Sequence, residues 1–417
     1  KRLWSCRGKF ANRPAQISLQ IQGDIEKTLL KKALYTVIGQ YEIFKTRFVT
    51  VAGMNVPLQV VEKNSIEWNE LNSSAQQDDN ASSQSIHNIL QQLSTRAQNS
   101  SGELQAVAAT LVQLTDGSNL LVINFHAMTV DQRSMEKVAK QICSCYENFL
   151  RGETPDQEEE LSYIDVSDWS NDILESEESK DGKRFWTHTH FDSLATSRSA
   201  LEMTEKETLV DCLQSTPARA LDSKKVMQLA DFAARKKVSI GDVLLACWQA
   251  ILYRHEIGPQ FAIGVHFDGR SDDELETVIG PLGRYLPVTC NISRESTLGD
   301  LSLANKNFQE MAGQLQEYFD WQALAENTPQ GFFPYCGELF ERDPYIHDQS
   351  IQAVCYSIDY AFEPAHVKLS MSYCSTTQHV NYRFYFNGKI VSLGAVNRLS
   401  EYLEQIIENV IENPEAT

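Results

Sequence analysis

The sequence predicts a mixed α/β protein built in two lobes, and three observations carry that prediction. At 417 residues the chain exceeds what one hydrophobic core usually serves. Strand-like stretches alternate with amphipathic helical ones in both halves, and no internal repeat in the sequence itself accompanies that order. Between Gly152 and Lys183 the composition shifts to acidic, polar runs, Glu158-Glu159-Glu160 and Glu175-Ser176-Glu177-Glu178-Ser179, as expected of a connection. The lobes are accordingly assigned to residues 1–170 and 171–417. Tyr163, Val166, Trp169 and Ile173 are the residues expected to anchor the connection to one of them.

In the first lobe, Ile17 to Gln22 alternates like a strand, and Gly23-Asp24 ends it. Asp24 is placed to cap a helix from Ile25 to Gln40, with Leu29, Leu30, Ala33, Leu34 and Val37 on one face. Glu42 to Phe48 leads into a strand, residues 73–85 read as a solvated loop, and Ile86 to Gln98 as a helix. Strands at Leu104–Gln113 and Asn119–Phe125 are joined by the turn Thr115-Asp116-Gly117-Ser118.

The second lobe opens with Phe185-Trp186 and strand-like segments. An amphipathic helix follows at Lys225–Lys237, and Ser239–Tyr253 is a helix so apolar that it must be buried. Phe261–His266 is a central strand running into Asp268-Gly269-Arg270. Strands at Val354–Phe362, Lys368–Cys374 and Val380–Phe386 precede a last helix at Leu393–Ile411.

Lys plus Arg total 37 against 56 Asp plus Glu, a formal charge of −19 without a basic cluster, which excludes nucleic acid as the expected partner. No apolar run reaches the roughly 18 residues that cross a bilayer, and the N-terminus lacks a signal-peptide core, so a cytoplasmic chain without a membrane partner is expected. The nine cysteines, Cys143, Cys247 and Cys355 among them, sit in apolar patterns with no Cys-x-x-Cys pair. Reduced core thiols, no disulfide framework and no metal are expected.

The most informative stretch is Asn119 to Met135. A buried strand stops at His126, a short loop carries Asp131, and a helix runs from about Arg133 to Leu150. An imidazole at the end of a strand, with a carboxylate five residues on to fix the loop, is the layout of an acyl-transfer site. The segment resembles the His-His-x-x-x-Asp-Gly signature of nonribosomal peptide synthetase condensation domains, with Ala127 at the second histidine and Gln132 at the glycine.

Further segments follow the family's order. Lys1-Arg2-Leu3-Trp4 resembles the end of its opening motif, and Tyr41 to Phe48 its Arg-His-Glu-x-Leu-Arg-Thr-x-Phe element. Ser162-Tyr163-Ile164-Asp165 with Trp169 resembles Tyr-x-Asp-Tyr-x-x-Trp. Ile279 to Pro287 stands where the family has Ile-Gly-Phe-Phe-Val-Asn-Thr-Leu-Pro, and Tyr318-Phe319-Asp320 where it has His-Gln-Asp.

The resemblance implies two chloramphenicol-acetyltransferase-like lobes in a V with a central tunnel. Donor and acceptor peptidyl carrier protein domains would present substrates on phosphopantetheine arms, beside adjacent synthetase domains, with no cofactor held by the domain itself. His126 matches the first motif histidine, implied to be structural. Ala127 occupies the place of the histidine credited with positioning or deprotonating the attacking amine, which alanine cannot do.

Asp131 matches the motif aspartate, implied to form an ion pair. A buried carboxylate calls for a cation, and Arg270 is the first candidate, with Arg47 and Arg284 as rivals. Gln132, Ser134, Arg284 and Tyr285 are the candidate substrate-contacting residues. Ser134 is alternatively a helix cap. Gln132 is strained if its position needs positive φ, and otherwise free to reach the acceptor.

Ala127 leaves three readings open: an inactivated variant of a working enzyme, a docking platform, or slow catalysis by positioning alone. At the base of a tunnel, Ala127→Trp is expected to be tolerated within about one kcal/mol. Cyclization domains carry Asp where His126 stands, and the Glu-rich partner motif of epimerization domains is not found. A free-standing coenzyme A-dependent acyltransferase is the alternative from another class. The abrupt start inside the first motif favours a domain of a longer synthetase.

Overall fold

The computed structural model describes residues 14–49, 51, 54, 58–61, 66–72, 83–99, 106–155, 161–177, 179–188, 213–255, 258–319, 333–342, 345–348, 352–360 and 365–413. Lys1 to Trp4, residues 73–82, Leu104, Glu158 to Glu160, Asp320 and Phe362 lie outside them.

In chain order the strands are β1 (Pro14–Gln22), β2 (Thr46–Val49), β3 (Leu58–Val61), β4 (Ile66–Asn72), β5 (Val107–Gln113), β6 (Asn119–His126), β7 (Leu213–Ser215), β8 (Arg219–Ala220), β9 (Gln260–Phe267), β10 (Arg284–Asn291), β11 (Tyr335–Glu341), β12 (Tyr345–Asp348), β13 (Gln352–Asp359), β14 (Val367–Cys374) and β15 (His379–Asn387). The helices are α1 (Lys27–Gln40), α2 (Ser83–Asn99), α3 (Gln132–Leu150), α4 (Tyr163–Glu175), α5 (Ser179–His188), α6 (Ser223–Lys236), α7 (Ile240–Arg254), α8 (Leu298–Gln314) and α9 (Leu393–Glu412).

These elements form two compact units. The first comprises Lys1–Trp169, Asp272–Gly283 and Pro344–Phe362, and the second Ser170–Ser271, Arg284–Asp343 and Glu363–Thr417. Two segments that a single cut at residue 170 assigns to the C-terminal lobe thus belong to the first unit.

The first unit is a six-stranded sheet in the order β12-β13-β1-β6-β5-β4. β6 is apolar along nearly its whole length because both its faces are covered. Leu121, Ile123 and Phe125 join the core with Leu30, Leu34 and Ile142 of α1 and α3, while Leu120 and Val122 meet Ile86, Leu90 and Leu93 of α2. In β1 the polar positions bond across the sheet. Gln16 donates to Asn124 Oδ1 at 2.9 Å, and the Ser18 and Ser357 hydroxyls lie 2.8 Å apart.

The second unit carries the order β10-β9-β11-β14-β15-β7, with β8 also on β15. The apolar helix α7 is its centre, as its composition requires. Val243, Leu244, Trp248 and Ile251 are buried in one cluster with Val226, Leu229 and Phe232 of α6 and Leu399, Leu403 and Ile407 of α9. Ser239 and Thr297 close capping boxes with Asp242 and Asp300 and start α7 and α8.

Several boundaries differ from expectation. Helix α1 begins after Glu26, not Asp24, and uses no side-chain cap; the Glu26 N–H instead donates to the Tyr146 hydroxyl of α3 at 2.9 Å. Trp169, expected as an anchor, is 40% exposed, and Val166 with Tyr163 makes the contact. Phe185 and Trp186, expected to open the second lobe, lie on helix α5, and the Trp186 indole donates to Leu315 O at 2.7 Å. Strands β10 and β11 and helix α8 are elements that the sequence patterns do not announce.

Among the described residues, all seven cysteines are free and no group of His, Cys, Asp or Glu is placed to hold a metal. No described helix is long and apolar enough to cross a membrane.

Candidate functional site

Strand β6, between β1 and β5, ends at His126, and the chain turns through Ala127, Met128 and Thr129 before α3 begins. The turn closes on His126 itself. Thr129 donates to the His126 carbonyl through its N–H at 2.9 Å and through its hydroxyl at 2.8 Å. The His126 Nδ1 accepts from the Met128 N–H at 3.2 Å, and its ring lies against Phe48 with centroids 5.1 Å apart. A ring that accepts at Nδ1 carries its proton on Nε2. Burial pushes its pKa down from 6.5 to about 4. His126 is therefore a neutral imidazole at neutral pH and a weak proton acceptor.

Asp131 is the N-cap of α3, accepting from the Ser134 N–H at 2.8 Å through Oδ1. Its Oδ2 accepts from the Leu282 and Gly283 N–H groups, each at 2.9 Å. Ser134 completes the tie, its hydroxyl donating to Gly280 O at 2.9 Å and accepting from Gly280 N at 3.0 Å. The Asp131 and Ser134 side chains thus pin residues 280–283, part of the expected Ile-Gly motif, onto the start of α3. Gly280 is required there, since a Cβ would stand 2.2 Å from the Tyr163 ring.

Ser134 is therefore not the cap of α3; Asp131 takes that place because its carboxylate reaches the N3 amide. Gln132 is the first residue of α3, and positive φ among the described non-glycine residues occurs only at Lys237 and Gln378, so no strain attends it. Its side chain is buried.

Ala127 is 2% exposed and packs in the core of the first unit with Phe125 and Met128. The open room expected there for Ala127→Trp is replaced by close packing.

Of the remaining candidates, Arg47 lies on the two-stranded ribbon β2-β3 of the first unit. Arg270, Arg284 and Tyr285 lie in the second. Arg270 follows Gly269, whose φ of +73° lets the chain fold back so that the Arg270 N–H donates to Asp268 Oδ1 at 3.1 Å. Arg284 opens β10 and donates to Gln316 O at 2.9 Å. The buried Tyr285 hydroxyl donates to Glu338, a residue that no sequence motif marks. A lone glutamate in a strand of mixed residues carries no spacing signal that singles it out.

β6 ends in His126, and the turn that leads from it into α3 is locked by the capping Asp131 and by Ser134. The family model for the condensation domain matches residues 14–417, and the chain belongs to that family.

Tyrocidine synthase 2 of Brevibacillus parabrevis is 20% identical over 405 residues, covering 95% of this chain and 11% of that protein. Gramicidin S synthase 2 of Brevibacillus brevis is 20% identical over 407 residues, covering 95% and 9%. The chain therefore spans a small part of the curated relatives it matches, which are multidomain synthetases. The first condensation domain of the calcium-dependent antibiotic synthetase, in complex with a substrate analogue, superposes with a TM-score of 0.83 at 15% identity over 100% of this chain and 95% of that one. The X-domain from teicoplanin biosynthesis, in its complex with OxyB, superposes with 0.76 at 16% identity over 99% and 92%. The α/β fold with two acetyltransferase-like lobes is that of this family.

Proposed function

We propose that this chain is the condensation domain of a nonribosomal peptide synthetase whose amide-forming step is impaired by alanine at position 127. Carrier-protein domains present a donor acyl thioester and an acceptor amine on phosphopantetheine arms in the cytoplasm. The amine attacks the thioester carbonyl, the carbonyl oxygen takes up negative charge, and the thiolate leaves. The attacking nitrogen must give up a proton, and general-base help is typically worth about 10²- to 10⁴-fold.

The observation that carries the reading is the contrast within one loop. The Asp131–Ser134 tie is complete, while position 127 offers a methyl group and His126 is neutral with Nδ1 already engaged. Substrate positioning remains and base catalysis is lost. The proposal includes Gln132, Ser134, Arg284 and Tyr285 as substrate-side residues and a pairing of Asp131 with Arg270. A double-mutant cycle reads that pairing through its coupling energy.

The test is a condensation assay with loaded donor and acceptor carrier proteins, comparing this chain with Ala127→His. The histidine variant should gain roughly 10²-fold or more, with its melting temperature measured alongside because position 127 is packed. Equal rates in two folded proteins refute impairment at 127. A second reading, a silent docking platform, draws on the same intact but baseless loop; no gain with carrier binding retained supports it. Turnover of coenzyme A thioesters without carrier proteins would instead identify a free-standing acyltransferase.

A further inference from the structure

A cavity of about 390 Å³ opens wholly within the first unit, where the end of α1 meets α3 and the start of α4. That volume falls in the range of small-molecule sites. Its apolar lining comes from Val37, Ile43, Cys145 and Ile279, none more than 5% exposed. Tyr41 and Tyr163 add to the wall, and the Tyr41 hydroxyl donates to Gln141 Oε1 at 2.7 Å.

The polar lining is neutral. Gln40 and Ser144 are exposed and Asn148 is half-buried, so carboxamides and a hydroxyl stand toward the solvent side. Glu42, exposed, is the one charged residue among the described lining residues. An anion therefore meets no cation in this lining, and a cation meets a single solvated carboxylate, which holds it weakly. Uncharged amides can donate to and accept from the carboxamides while an apolar body covers the buried residues.

Part of this wall belongs to the segment that the His126 loop pins. Ile279 precedes Gly280, whose N–H and carbonyl are both bonded to the Ser134 hydroxyl. Tyr163 lies so close to Gly280 that a Cβ there would stand 2.2 Å from its ring. Leu282 and Gly283 then donate to Asp131. A molecule seated against Ile279 and Tyr163 takes up the room into which they would move when residues 280–283 open.

We propose that this cavity binds a small neutral molecule with an apolar body and amide groups at its edge, and that its occupancy tightens the hold of Asp131 and Ser134 on residues 280–283. The binding step does not depend on the reaction carried out at the His126 loop.

The test is a titration of the full chain, labelled at its isoleucine methyl groups, with N-acetyl-leucinamide, which is neutral, N-acetyl-leucine, an anion, and leucinamide, a cation. The signals of Ile43, Ile164 and Ile279, all in the lining, are assigned by single replacements with valine. The neutral amide should shift these three and leave Ile263 and Ile407, buried in the second unit, unmoved. The two charged compounds should bind roughly tenfold or more weakly, the cost of bringing an unpaired charge against an apolar lining. Equal binding of all three, or no shift of the three lining isoleucines, overturns the proposal.

Ser144→Trp fills the opening from an exposed position of α3 and should remove the response in a protein whose Tm is unchanged; a retained response overturns the site. Hydrogen exchange reads the tie itself. At a ligand concentration about ten times the dissociation constant, the Leu282 and Gly283 amides should exchange more slowly by up to about tenfold, and not in Ser144→Trp. Bound ligand with exchange unchanged at those amides overturns the coupling.

Discussion

Removing the Asp131 carboxylate should be among the most damaging single changes in the first unit. Asp131→Ala takes away the N-cap of α3, worth about 1 kcal/mol. It also leaves the Leu282 and Gly283 N–H groups, now held at 2.9 Å, without their acceptor. An orphaned buried donor costs roughly 1–3 kcal/mol, so with two of them and the cap the total comes to roughly 3–7 kcal/mol. For a unit of this size each kcal/mol lowers Tm by roughly 2–4 °C, which places the expected fall at about 6 °C or more.

Differential scanning calorimetry of the full chain checks this against Glu276→Ala, which touches only partly exposed ion pairs with Arg133 and Lys137. Asp131→Asn, which keeps one acceptor oxygen, should fall between. Because Ser134 pins the same residues, Asp131→Ala and Ser134→Ala should cost less together than the sum of their separate effects. A fall of Asp131→Ala no larger than that of Glu276→Ala would refute the locking role.

Other outcomes follow from the same geometry. Since the folded pKa of His126 is near 4 and its ordinary value is 6.5, the unfolded chain binds the proton first as pH falls. Stability is then full above 6.5 and drops between 6.5 and 4 by up to about 1.4 kcal/mol per pH unit; urea melts of parent and His126→Gln at pH 7, 6 and 5 should show that slope flattened in the variant. Ala127→Trp should overpack the core by roughly 1–3 kcal/mol, visible as a lower denaturation midpoint; an unchanged midpoint would restore open space at 127. Gly280→Ala, whose new methyl would meet Tyr163 at 2.2 Å, should lower Tm, and Tyr163→Ala should relieve it. At pH 8, iodoacetamide should label Cys374, lowered by hydrogen bonds with Thr377 and Thr376 against its burial, before Cys143 and Cys247, which burial pushes up to about 12; mass spectrometry of the native protein reads the order.

The helices with one apolar face or an apolar whole were legible because periodicity writes burial directly into the sequence. α6, α7 and α9 fall within a few residues of expectation for that reason. The turn from His126 to Asp131 was legible because its residue types are chemically specific. What escaped was set by distant partners. The start of α1 depends on a hydroxyl from Tyr146, and β3 is largely exposed and presents no core pattern. Helix α8 mixes Asn305, Gln309 and Glu310 among its apolar residues, and its buried Asn305 is satisfied by Gln249 and the Asp242 carbonyl on α7. Nor does any local pattern announce that Asp131 is bound by the amides of Leu282 and Gly283, since 151 residues separate the carboxylate from the first of them.

The place of β13 in the first unit has a consequence for synthesis. β1 has β6 on one flank and β13 on the other, paired from Gln16–Asp359 to Gln22–Gln352. A chain emerging from the ribosome exposes the β13 flank of β1 until residue 359 is made. At roughly 5–20 residues per second, that leaves an unpaired edge standing for about 10–40 s after residue 169 has appeared. Ribosome-bound chains ending before β13 should hence be the aggregation-sensitive species. Exchange of halves between synthetases across residue 170 alone would separate β1 from the strand that evolved to cover it.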